Sequence, residues 1–74
     1  MTYNHNSPKI DRFIGKRVTV EFTDGTVYIG LLKGFNEKID RYVLVNVLND
    51  KTGFPTTNTE FRKSHVKRIE VKHG

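Results

Sequence analysis

Three apolar runs lie between Arg17 and Leu48, separated by short polar breaks, and their spacing suits strands rather than helices. In the first, Val18, Val20 and Phe22 alternate with Thr19, Glu21 and Thr23, which is the two-residue period of a half-buried strand. Asp24-Gly25 then reads as a two-residue turn matched to strand twist, because Gly tolerates positive φ and Asp nearly does. The second run begins at Val27 and is punctuated by Gly30 and Gly34, glycines that predict a bulge or a sharp bend. The third, Tyr42 to Leu48, is rich in β-branched residues and too short for a helix of its own. Three strands joined by short turns make a meander, and the remaining chain must pack onto it.

On the N-terminal side, Ser7-Pro8 suits a helix start: serine accepts from unpaired N–H groups, and proline fits the first helical position. Ile10, Phe13 and Ile14 then share one face of a short helix, and Gly15 ends it. A helix this short needs the sheet to hold it. Residues 1–6 are polar and expected to be a disordered tail, leaving residues 7–72 as a single domain. On the C-terminal side come a turn cluster at residues 49–53, Pro55, and a threonine-rich fourth strand over residues 56–63. Ser64-His65 is a tight connection, and Val66–Val71 is a fifth strand whose apolar spacing predicts an irregularity near Lys67-Arg68. The expected fold is mostly β: a short N-terminal helix followed by a five-stranded, strongly bent antiparallel small barrel. Its last two strands are short and polar, so their edges are expected to be open for pairing with another subunit.

Seventy-four residues bury a small core, and there is no cysteine to staple it. No apolar run approaches the roughly 18–20 residues of a membrane span, and the opening MTYNHNS lacks an apolar signal core. A cytoplasmic protein with no membrane partner is the expectation. Thirteen Lys and Arg against eight Asp and Glu give a net charge of +5, which favours polyanions. Five of those cations, Arg62, Lys63, Lys67, Arg68 and Lys72, stand within the last stretch beside one acid, Glu70.

No catalytic constellation is apparent. His5, His65 and His73 lack metal-ligand spacing, and Ser64 and His65 are chain neighbours without an orienting acid. Gly15-Lys16 lacks the rest of a phosphate-binding loop. The chain is expected to be a non-enzyme with no cofactor and no metal.

With its helix, five strands and particular residues, the chain resembles the Sm/LSm family, which includes bacterial Hfq. The first motif of that family is matched by Val18-Thr19-Val20-Glu21-Phe22, Gly25, Gly30-Leu31-Leu32 and Phe35-Asn36. The second is matched by Phe61-Arg62-Lys63-Ser64 with Val66 and Ile69 at the right spacing. The resemblance spans residues 8–71 and implies an Sm-like, or more broadly SH3-like, barrel. It further implies a homo-oligomeric ring of about five to seven subunits, closed by pairing of the fourth strand with a neighbour's fifth. Single-stranded RNA, U-rich or A-rich, would bind near the pore.

Arg62 matches the family's base-contacting arginine, and a guanidinium offers planar donors and a stacking face. Its alternative role is an exposed or inter-subunit salt bridge with Glu60 or Glu70. The implied site also includes Lys63, where the family usually has glycine, and Lys38, Asp40, Arg41 and Tyr42 in or beside the loop after the second strand. That loop aligns either without a gap, as residues 36–40, or one residue longer, with Arg41-Tyr42 at the family's Asn-Leu. Tyr42 reads equally as a base-stacking surface or as barrel packing. A structural or protein-adaptor barrel without RNA binding, and a duplex-DNA-binding barrel, are the alternative functions.

Overall fold

The computed structural model describes residues 9–72 and begins with a 3-10 turn at Lys9–Phe13. In that geometry residues i and i+3 lie on one side, so Ile10 and Phe13 both turn inward; Ile10 has no exposed surface and Phe13 packs against the core. Ile14, which an α-helical period would add to the same face, is 40% exposed. Gly15, at φ 87°, turns the chain back. Its N–H donates to the Leu32 carbonyl at 2.7 Å, and the Leu32 N–H donates to the Lys16 carbonyl at 3.0 Å, clamping the turn to the middle of a strand. The helix start expected at Ser7-Pro8 and the tail expected at residues 1–6 lie outside the described residues.

Five strands follow: β1 (Arg17–Phe22), β2 (Val27–Asn36), β3 (Arg41–Asn49), β4 (Thr59–Phe61) and β5 (Val66–Val71). They form one antiparallel sheet in the order β4-β3-β2-β1-β5. Val18, Val20 and Phe22 are buried, as the alternation predicts.

The β1–β2 link is longer than the expected two-residue turn. A type I′ turn needs positive φ at both central residues, and here only Gly25 has it, at 92°. Gly25 N–H donates to the Phe22 carbonyl at 3.0 Å, and Phe22 N–H donates to the Thr26 carbonyl at 2.8 Å. The result is a three-residue loop, Thr23-Asp24-Gly25, that ends on a left-handed glycine. Asp24 holds it by accepting the Thr26 N–H at 2.9 Å.

Two compensating bulges bend β2 against β3. The register runs Ile29↔Leu48 and then Leu31↔Val45, so β3 has one extra residue opposite Gly30. Asn46, at φ 53°, absorbs it, in keeping with the tolerance of Asn for that region. The register then runs Leu32↔Leu44 and Gly34↔Val43, which leaves Lys33 as the extra residue on β2. Gly30 is needed for the first bulge: a Cβ there would lie 2.8 Å from the Val45 carbonyl oxygen and 3.0 Å from Leu44 Cγ. A third slip separates Glu21↔Arg68 from Phe22↔Val66, the irregularity expected near Lys67-Arg68.

The fourth strand is shorter than the expected 56–63. Pro55 makes an isolated bridge with Leu48, and only Thr59–Phe61 joins the ladder; proline supplies no N–H to extend it. Lys63–His65 forms a 3-10 turn into β5. β4 and β5 terminate the sheet, and side chains draw its ends together: the Phe61 ring from β4 lies 5.3 Å from the Phe22 ring of β1. Ile10, Val18, Val20, Leu32, Leu44 and Val47 fill the interior.

Candidate nucleic-acid interface

Tyr42 of β3 pairs with Phe61 of β4, and both side chains point into the core. The β3–β4 register ends at that pair, and Arg41 and Arg62 are the residues that flank it, one on each segment. Because strand side chains alternate, both arginines are carried away from the core. Arg62 is exposed and extended, at φ −90° and ψ 147°, and Lys63 opens the 3-10 turn that follows. Arg41 is half-buried, and its Nε is shielded from solvent with no hydrogen-bond partner among the described residues.

Lys38 and Asp40 stand exposed in the four-residue loop before Arg41. Asn36 Oδ1 accepts the Lys38 N–H at 3.0 Å, and Asp40 sits at φ 57°, so the loop is held by its own residues. The inward set on β3 starts at Tyr42 and continues at Leu44, which is the pattern of the alignment with one extra loop residue. Arg41, Arg62, Lys63, Lys38 and Asp40 therefore gather at one end of the sheet, on two adjacent connections.

Of the two readings of Tyr42, packing is the one observed. It is 7% exposed, its ring stacks on Phe61 at 5.8 Å, and its hydroxyl donates to Asp11 Oδ1 at 2.6 Å. The open aromatic at this end is Phe35, 40% exposed and 4.9 Å from the Tyr42 ring. Its signal in the sequence is the match of Phe35-Asn36 to the end of the first family motif.

The basic C-terminal stretch separates into two groups. Lys67 pairs with Glu21 at 3.8 Å and Arg68 with Glu70 at 3.9 Å, all on the outer face of β1 and β5. Among the described residues Arg62, Lys63, Arg41 and Lys38 make no ion pair. The salt bridge weighed for Arg62 with Glu60 or Glu70 is thus not formed within the chain. Lys63 does not have positive φ, which explains how a lysine stands where the family usually has glycine. Among the described residues no three His, Asp or Glu are grouped to hold a metal, and no helix is long and apolar enough to cross a membrane.

No protein-family profile matches the sequence, and no curated protein does either. Solved structures do match. A heptameric archaeal Sm protein is 20% identical over 90% of this chain and 100% of its own, with TM-score 0.69. A Pyrobaculum aerophilum Sm heptamer is 20% identical over 97% of this chain and 99% of its own, with TM-score 0.70. The chain has the Sm-like fold. A further Sm-like protein from Pyrobaculum aerophilum matches at 23% identity and TM-score 0.68, over 89% of this chain; the Sm-like chain spans half the length of that protein. These identities make the likeness one of fold, and the fold half of the resemblance read from the sequence is borne out.

Proposed function

We propose that this Sm-like chain is a non-enzymatic protein that assembles into a closed ring of about five to seven copies and binds single-stranded RNA, U-rich or A-rich. The observation that carries the reading is that Arg41 and Arg62 flank the last β3–β4 pair, with Lys63 and Lys38 nearby in the chain, and that none of the four makes an ion pair among the described residues. Guanidinium groups so placed suit both phosphates and base faces. Assembly has two supports. β4 and β5 end the sheet, so each offers an unpaired edge, and two of the fold neighbours are described as heptamers.

Arg62→Ala and Lys72→Ala remove equal formal charge and separate a site from a charged surface. In a ring Arg62 recurs once per subunit, so its loss should abolish most oligo(U) or oligo(A) binding at about 150 mM salt, where screening acts over about 8 Å. Lys72→Ala should be mild. Equal, salt-dependent losses would reduce the site to a general electrostatic patch. An intact ring that ignores RNA would identify a protein adaptor, and a preference for duplex would identify the DNA-binding alternative.

A further inference from the structure

Gly34 is a glycine that the fold does not require. Its φ is not positive, and a Cβ built there would meet nothing within 4 Å. That separates it from Gly30, whose missing side chain is filled by β3. Gly34, Val43 of β3 and Glu60 of β4 are cross-strand neighbours in one row, on the face opposite buried Tyr42, Leu44 and Phe61. The missing side chain leaves a depression floored by Gly34 and Val43. Glu60 stands on one side, and Lys33, Asn36 and Lys38 on the other. Glu60, Lys33 and Lys38 are exposed and make no ion pair among the described residues. A strand added at the free edge of β4 would extend this face in its own plane rather than cover it.

We propose that this groove is a nucleotide subsite, taking one base of a bound single strand and preferring bases that carry an exocyclic amine. A flat heterocycle fits a floor with no side chain at Gly34. Glu60 is acceptor-only when ionised, so it pairs with an exocyclic amino group such as that of adenine, whereas uracil offers it a single N3–H flanked by two carbonyl oxygens that repel the carboxylate. Lys33 and Lys38 supply donors for the adjoining phosphates. The ligand class rests on the RNA-binding reading, and the groove would resolve its choice between A-rich and U-rich strands in favour of A.

The test titrates AMP and UMP into the full-length protein and follows backbone amide shifts. AMP should move the amides of Gly34, Val43 and Glu60, and UMP should move them weakly. Gly34→Val, which fills the floor, should keep the parent melting temperature and lower oligo(A) affinity by roughly tenfold, the scale of one lost base contact. Glu60→Gln should narrow the preference for oligo(A) over oligo(U) without removing phosphate-driven binding. Oligo binding that survives Gly34→Val unchanged, with AMP shifts absent from the groove, would overturn the subsite and leave the Arg62 reading standing. AMP bound in the groove of a protein that binds no oligonucleotide would identify a free-nucleotide site, overturning the strand subsite and the ring-pore reading together.

Discussion

The Tyr42 hydroxyl donates a 2.6 Å hydrogen bond to Asp11, 31 positions earlier in the chain. It ties the N-terminal 3-10 turn to the first residues of β3, immediately beside Arg41. Tyr42→Phe keeps the ring stacked on Phe61 and removes the hydroxyl that makes this bond. Stability should fall by about 1 kcal/mol, the net worth of an intramolecular hydrogen bond. Chemical denaturation reads it as a lower midpoint at unchanged slope. An unchanged midpoint would mean that the turn is held by Ile10 and the Gly15–Leu32 clamp alone.

Gly30 and Gly34 lie in the same strand and should respond oppositely to one methyl group. At Gly30 the added carbon would stand 2.8 Å from a backbone carbonyl oxygen, so Gly30→Ala should cost about 1–3 kcal/mol as overpacking. At Gly34 it meets open space, and Gly34→Ala should stay within about 0.5 kcal/mol of the parent. Melting curves of the two variants side by side decide the matter. Equal effects would contradict the bulge placed opposite Gly30.

The Asp24 carboxyl is held below its ordinary value of 3.8, first by the Thr26 backbone N–H and then by the Thr26 side chain. A folded value below the unfolded one means that the carboxylate contributes stability above the unfolded value. That contribution is lost as pH falls through the lowered folded value. Asp24→Ala should therefore be less stable than the parent at about pH 7, and the gap should narrow as pH falls through the lowered folded value. A gap that persists in acid would assign the effect to the backbone of the loop rather than to the charge.

How much of this was legible in the sequence depended on whether the determining interaction was local. The inward set Val18, Val20 and Phe22 followed from alternation, and the slip near Lys67 from the three-residue step between Val66 and Ile69, because both are periodicities of a single strand. The three-residue length of the Asp24-Gly25 loop was not legible, since it depends on which residues of β1 and β2 close the ladder. The bend was read from Gly30, but its cause lies across the ladder: Asn46 takes positive φ within a run that reads as ordinary strand. Tyr42 was ambiguous because its partner, Asp11, is remote in sequence. Arg41 and Arg62 enter the site only through the family resemblance; that both flank the Tyr42↔Phe61 pair depends on a β3–β4 register that no single strand's pattern reveals. Ile14 was misplaced by the difference between a 3.6-residue and a 3-residue turn.

Assembly is the claim on which the RNA site depends, because a pore exists only in a ring. Sedimentation velocity of the purified chain, with and without oligo(U) or oligo(A), tests it most directly. The predicted result is one closed species of several 8.6 kDa subunits, which gains mass when the oligonucleotide is present and keeps its subunit number. A stable 8.6 kDa monomer at micromolar concentration, unchanged by either oligonucleotide, would contradict the account.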